Sequence, residues 1–82
     1  MKKKFTLILF DMHKQETVMF EEVEASSFRG AKQTAEFKAM KAVFDILAKK
    51  KCLELAIDCY TDNHSMSWYP DGTKCEGVMY HE

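Results

Sequence analysis

The chain has few residues that interrupt secondary structure and no excess of either charge. Of its 82 residues, 1 is proline and 3 are glycine, and no segment is repeated or of low complexity. We therefore expect no linker, and residues 1–82 are predicted to form a single domain. Lys and Arg together number 12 and Asp and Glu 13, which leaves a formal net charge of −1. This balance lacks the basic excess that generally draws proteins to nucleic acids or anionic membranes.

Long apolar runs and targeting signals are also lacking. The apolar residues 5–10 follow three lysines, but the run ends at Asp11 without a cleavage site, which favours a strand over a secretory signal. No stretch approaches the roughly 20 apolar residues of a membrane-spanning helix. Cys52, Cys59 and Cys75 are an odd number, typical of free thiols in a reducing compartment. We expect a soluble, cytoplasmic protein.

The pattern of apolar residues predicts one long helix among five strands. Residues 26–51 are rich in helix formers, contain no proline and begin with two serines that can cap the first turn. The segments with strand composition or alternating polarity are residues 5–10, 17–23, 53–60, 64–69 and 74–80. The order β-β-α-β-β-β predicts an α+β two-layer sandwich, in which the helix covers one face of an antiparallel sheet of order 2-1-3-4-5.

Two apolar stripes lie on the predicted helix. The first consists mostly of small side chains that permit close approach to a sheet, and we assign it to the core: Phe28, Ala31, Ala35, Ala39, Ala42, Val43 and Ile46. The second stripe lies more than about 100° away around the helix axis and consists of Phe37, Met40, Phe44 and Leu47. Either this stripe packs on the sheet edge or beneath residues 11–16, or it is an exposed flank that binds a partner or a second copy.

The predicted sheet carries apolar residues on both of its faces. Alternation assigns one set to the core: Leu7, Leu9, Leu55, Ile57, Met66, Trp68 and Cys75. The opposite face then carries Ile8, Phe10, Tyr60, Tyr69, Val78 and Tyr80. So many aromatic side chains on a face that the helix leaves uncovered favour a partner-binding surface or a dimer interface. Scattered surface tyrosines are the alternative interpretation.

No motif for catalysis or for a cofactor is present in the sequence. The cysteines and histidines lack the Cys-x2–4-Cys spacing of zinc sites. Gly30, Gly72 and Gly77 stand alone and form no phosphate-binding loop. The serines lie outside any nucleophile-elbow sequence. We therefore predict a non-enzymatic protein that holds neither a metal nor a cofactor.

One segment resembles the ribonuclease H-like nucleases. The Ala35-Glu36 pair on the predicted helix, followed by the strand that contains Asp58, is similar to the helix–strand segment of that family. Asp11, at the end of the first strand, stands where the family has its first-strand carboxylate. The resemblance implies that Asp11, Glu36 and Asp58 bind Mg²⁺ through oxygen ligands.

A second resemblance concerns the layout of the whole chain. A hairpin, then Val23, Ala25 and Ser26 leading into an alanine-rich helix, then a short meander of strands is similar to many small accessory proteins of phages and mobile elements. Some of those proteins inhibit bacterial defence enzymes by binding them. This similarity favours a binding protein without catalytic activity.

These observations lead to one principal hypothesis and two alternatives. The principal hypothesis is a small protein-binding module or inhibitor-like accessory protein, phage or mobile-element encoded, that acts on a protein partner or on itself as a homodimer. Its surface is the flank of Phe37, Met40, Phe44 and Leu47 or the face with Ile8, Phe10, Tyr60, Tyr69 and Tyr80. One alternative is a sheet that binds single-stranded nucleic acid by stacking bases, with Lys2 to Lys4 and Lys74 at the phosphates. The other is a degenerate ribonuclease H-like, metal-dependent nuclease.

Overall fold

Five strands and two helices make up the fold of residues 2–50, 54–62 and 64–78, which the computed structural model describes. In chain order the elements are β1 (Lys3–Asp11), β2 (Glu16–Ala25), α1 (Phe28–Ala31), α2 (Ala35–Lys49), β3 (Leu55–Thr61), β4 (His64–Trp68) and β5 (Lys74–Val78). Neighbouring strands are antiparallel and follow the order β2-β1-β3-β4-β5. The predicted α+β fold and sheet order are confirmed. Cys52, Tyr80 and the predicted boundaries at residues 51, 53 and 80 lie outside the described residues.

A β-bulge interrupts the ladder between β1 and β2. Close to the hairpin loop, Phe10 pairs with Thr17, but further along the ladder Leu9 pairs with Met19. Val18 is the extra residue, and beyond it every residue of β2 faces the side opposite to the one that an unbroken ladder would give it.

The helical region is divided, whereas the sequence predicts one helix over residues 26–51. In α1, the Ser27 hydroxyl oxygen accepts the Gly30 N–H at 3.1 Å, and the helix ends at Ala31. The Thr34 hydroxyl then donates to the Ala31 carbonyl at 2.7 Å and accepts an N–H from the first turn of α2 at 3.2 Å. Thr34 therefore caps a new helix, as hydroxyl residues do at helix N-termini. In the described part of the chain, no helix is long and apolar enough to span a membrane.

The large side chains of α2 enter the core, so the predicted orientation of this helix is wrong. Phe37, Met40 and Phe44 are buried and Leu47 is half-buried against them. Of the stripe assigned to the core, Ala31 is buried and Phe28 and Val43 pack at its border, but the other four members are exposed: Ala35, Ala39, Ala42 and Ile46. The opposite orientation would leave three large side chains in water. Exposure of apolar surface costs about 25 cal/mol of free energy for each Å². The prediction that this stripe is an exposed flank is therefore wrong, because the stripe belongs to the core and its border.

The core face of the sheet largely follows the predicted alternation. Its fully buried members are Phe5, Leu7, Leu9, Leu55, Ile57 and Cys59. Trp68 lies at the border of the core, with its ring centroid 5.3 Å from that of Phe37 and 5.3 Å from the Lys32 ammonium nitrogen. Cys75, which the sequence analysis assigns to the core, is exposed on the other face. The reason is that Trp68 pairs with Lys74, so the alternation of β5 is shifted by one residue from the predicted one.

Truncation of a core residue of α2 tests this orientation of the helix. Met40 is 0% exposed and Ile46 is 55% exposed. We expect Met40→Ala to lower the free energy of unfolding by about 2–5 kcal/mol, because it leaves a cavity. The matched variant Ile46→Ala should change that free energy by less than about 0.5 kcal/mol. Urea unfolding followed by circular dichroism measures both, and a larger loss for Ile46→Ala would contradict the orientation.

Candidate functional site

One side of the sheet has no helix packed on it among the described residues, and we call it the open face. The strand register places on it every second residue of each strand. Its members are Lys4, Thr6, Ile8 and Phe10 on β1, Thr17, Phe20, Glu22 and Glu24 on β2, Ala56, Asp58 and Tyr60 on β3, Ser65 and Ser67 on β4, and Cys75 and Gly77 on β5. Because α1 and α2 both lie on the core side, the described residues leave the open face available to a partner.

An apolar cluster of Ile8, Phe10 and Phe20 occupies the open face over β1 and β2. Ile8 pairs directly with Phe20, and Phe10 pairs on its other side with Ala56, which is only 3% exposed. Phe20 is the most exposed large hydrophobic residue described, at 56%. Aromatic and branched side chains that pair across strands form a continuous apolar surface. This cluster is the part of the open face best suited to bury apolar area against another molecule.

A polar group of Asp58, Tyr60 and Ser67 adjoins the apolar cluster over β3 and β4. The Ser67 hydroxyl donates a hydrogen bond to the Asp58 carboxylate at 2.5 Å. Burial raises the pKa of Tyr60, and the nearby Asp58 carboxylate raises it further by repelling the phenolate and by accepting a hydrogen bond from the phenol. Tyr69 also lies close enough to contribute to this rise. Ser67 and Tyr60 thus both interact with the Asp58 carboxylate, and the polar group forms a fixed border to the apolar cluster.

The charges of the open face are mainly negative. Glu22, Glu24 and Asp58 lie on it, whereas its one basic side chain among the described strand residues is Lys4. The Lys4 ammonium nitrogen is 3.7 Å from Glu22, so this positive charge is already paired. Lys74, which the nucleic-acid hypothesis places at phosphates, pairs with Trp68 and so lies on the opposite side of the sheet. That assignment of Lys74 is wrong.

The predicted site residues are thus divided between a surface and the core. Ile8, Phe10 and Tyr60 lie half-buried on the open face, and Tyr69 is half-buried next to Tyr60. Tyr80 and the side chain of Val78 lie outside the described residues. The four residues of the predicted helix flank, Phe37, Met40, Phe44 and Leu47, belong to the core and its border.

Phe20 is the member of the apolar cluster that the sequence analysis missed. Counted without a bulge from the pair of Asp11 and Glu16, Ile8 would face Met19 and Phe20 would point to the core. The extra residue Val18 reverses this assignment. A bulge of this kind has no reliable sequence signal. The available indication is the alternation within residues 20–24, in which Phe20 shares a face with Glu22 and Glu24 and not with Val23.

The carboxylates of the proposed nuclease triad do not converge. Asp11 lies in phase with Leu9 on the core side of β1, whereas Asp58 pairs with Ile8 on the open face. Their positions in the ladder also differ by three residues, or about 10 Å. Glu36 belongs to the first turn of α2, on the helix side of the sheet. Among the described residues, no three His, Cys, Asp or Glu side chains are placed to hold a metal ion.

A shallow cleft of about 480 Å³ lies between α1 and the β4–β5 hairpin. Its lining residues are Phe28, His64, Ser65, Glu76 and Gly77. His64 and Glu76 are both exposed, so water reaches their side chains freely. The cleft therefore differs from the enclosed, mainly apolar pockets in which small ligands generally bind.

Comparison with protein-family models, curated proteins and solved structures finds no significant match. The inference of function therefore depends on the surface of this chain alone.

Removal of the Asp58 charge tests the polar group. We expect Asp58→Asn to lower the pKa of Tyr60 while leaving it above 10.0, because burial, its largest cause, remains. Because the pKa of Tyr60 is raised above its ordinary value of 10.0, the protonated phenol stabilises the folded state. This contribution to the free energy of unfolding is fully present below pH 10 and is lost as the pH rises through the folded-state pKa. NMR titration of the tyrosine ring carbons measures this shift. Asp62→Asn, in the exposed turn before β4, is the control, and an equal shift there would contradict the assignment.

Proposed function

We propose that the chain is a non-enzymatic protein-binding module and that the open face is its docking surface. The partner surface best matched to it carries apolar side chains bordered by lysine or arginine. The observation that carries the proposal is the apolar cluster of Ile8, Phe10 and Phe20 next to the carboxylates of Glu22 and Glu24. Burial of apolar surface supplies affinity, and charges of opposite sign at the border supply specificity and speed of association.

The fixed polar group supports the same proposal. Because Asp58 already accepts from Ser67 and interacts with Tyr60, a partner meets side chains held in place before binding. Ordering of free side chains on association lowers affinity, so an interface that is ordered in advance binds more tightly. An inhibitor-like accessory protein that occupies the surface of an enzyme needs a surface of this kind.

Single-stranded nucleic acid is a poorer candidate for the open face. Phe10 and Tyr60 offer rings on which bases can stack, but stacking platforms generally lie beside a positively charged groove that follows the phosphates. Here the surrounding charges are those of Glu22, Glu24 and Asp58, which repel phosphate. Nuclease activity is also poorly supported, because the three carboxylates it requires lie on two sides of the sheet.

A displayed library of random peptides, selected on the wild-type protein, provides a defined probe. Phe20 and Ile46 are 56% and 55% exposed, on the open face and on the outside of α2 respectively. We expect the selected peptides to be rich in apolar residues and in lysine or arginine. Their affinity should fall at least about tenfold for Phe20→Ser, because most binding energy comes from a few buried anchors, and remain unchanged for Ile46→Ser.

Two results would overturn the proposal. One is a set of peptides that lose affinity for Ile46→Ser and keep it for Phe20→Ser, which would move the docking surface to the helix. The other is binding of a fluorescent oligothymidine at physiological salt that weakens as salt rises, which would favour the nucleic-acid alternative.

A further inference from the structure

The two edges of the sheet differ in the charges they present. β2 forms one edge and β5 the other, and no described strand lies beyond either. Exposed edges are templates for pairing with another chain, and proteins often protect them with bulges or charges. β2 contains the bulge at Val18 and four glutamates without a lysine or arginine: Glu16, Glu21, Glu22 and Glu24. Two copies of β2 would therefore repel each other.

The charges of β5, in contrast, would attract a second copy of the same strand. The strand begins Lys74, Cys75, Glu76, with one basic and one acidic residue placed symmetrically about the cysteine. All three side chains are exposed, and in the described part of the chain neither Lys74 nor Glu76 forms an ion pair. An antiparallel copy of β5 centred on Cys75 would place Lys74 of each chain opposite Glu76 of the other.

The hydrogen-bonding phase of β5 permits this register. At the start of the β4–β5 ladder, the Tyr69 N–H donates to the Thr73 carbonyl at 3.0 Å. In antiparallel pairs, hydrogen-bonded and non-hydrogen-bonded residues alternate, so Cys75 directs its backbone groups inward to Ser67. The N–H and C=O groups of Lys74 and Glu76 consequently point outward, away from β4. These are the two residues that would exchange backbone hydrogen bonds with a second copy.

We propose that two copies of the chain pair through β5, antiparallel and centred on Cys75. The backbone groups of Lys74 and Glu76 form the hydrogen bonds, and their side chains form two ion pairs across the junction. Cys75 then faces Cys75 of the second copy as a non-hydrogen-bonded pair, with Cα atoms about 4.5 Å apart. The charges of β5, and not its cysteine, select the second copy as the occupant of this edge.

This interface leaves the open face of each copy available. The twofold axis of such an antiparallel pair stands perpendicular to the sheet, so the open faces of the two copies lie on the same side of one continuous sheet. A dimer of this kind presents two docking surfaces together, which increases avidity for a partner with repeated sites. The pairing itself does not depend on what the open face binds.

Oxidative cross-linking at Cys75 detects the pairing directly. The Cα separation of about 4.5 Å lies within the range of about 4.4–6.8 Å that disulfides span. Diamide accepts the two thiol hydrogens, and the covalent dimer is measured on a non-reducing gel. The test uses the full chain with Cys52→Ser, so that Cys75 is the accessible thiol. Cys59 is buried, which raises its pKa to about 12 and keeps it in the unreactive thiol form.

Charge-exchange variants make the test specific for this register. Lys74→Glu alone and Glu76→Lys alone each place like charges opposite each other, and each should slow cross-linking by roughly tenfold or more. The double variant Lys74→Glu/Glu76→Lys restores opposite charges and should cross-link at the wild-type rate. A mixture of the two single variants should give cross-linked heterodimers at the same rate. In such a heterodimer, the two acidic residues of one chain lie opposite the two basic residues of the other.

Several results would overturn the proposal. One is wild-type protein that remains a monomer by light scattering at all concentrations and cross-links no faster than the single variants. Another is cross-linking that falls in the double variant as much as in the single ones. A third is a dimer that Phe20→Ser dissociates and the charge variants do not, which would place self-association on the open face. Loss of peptide binding to the open face, by contrast, leaves this proposal intact.

Discussion

The one long helix of this fold, α2, can cover only one face of the five-stranded sheet, and the rest of the structure follows from this constraint. An α-helix with its side chains is about 10 Å wide, whereas the outer strands of such a sheet lie roughly 19 Å apart. α2 therefore packs over β1, β2 and β3. To close the space between the layers it must use its largest side chains, and Phe37, Met40 and Phe44 fill that space. The opposite face of the sheet and the β4–β5 hairpin receive much less cover.

Among the described residues, two surfaces have no helix or strand packed against them. The open face combines an apolar cluster over β1 and β2 with a fixed polar group over β3 and β4. Its carboxylates disfavour phosphates and favour a basic protein surface. The β5 edge carries one charge of each sign and is suited to a second copy of itself. The two proposed roles, partner binding and self-association, therefore use different surfaces and do not compete.

The sequence was sufficient for the order of elements and for the sheet, because long amphipathic segments and strong turn residues determine both. It was insufficient where two arrangements satisfy the same pattern. The periodicity of the helical segment shows two apolar stripes more than about 100° apart but not which one is inside, and burial of the larger area decided between them. Similarly, Thr34 ends the predicted continuous helix through a hydroxyl cap that helix propensity alone does not reveal. Local capping thus overrides the general composition of the segment.

Side-chain direction in the strands was harder to predict, because a shift of one residue reverses every face. The bulge at Val18 brings Phe20 to the open face, and the register of the last hairpin brings Cys75 there. In that hairpin, Gly72 has φ +89°, a conformation that favours glycine, and the turn it completes pairs Tyr69 with Thr73. The geometry of this one turn therefore determines which residues of β5 face outward at the sheet edge.

The central claim is that α2 covers one face of the sheet with its largest side chains and leaves the open face in contact with water. Solvent accessibility of individual side chains, measured by NMR with a soluble gadolinium chelate, tests it most directly. At concentrations where the chain is monomeric, the account predicts strong relaxation of the Ile8 methyl groups and the Phe20 ring. It also predicts that the Met40 methyl group and the Phe44 ring remain protected, because α2 holds them against the sheet. The opposite result, with Met40 and Phe44 relaxed and Ile8 and Phe20 protected, would contradict the account.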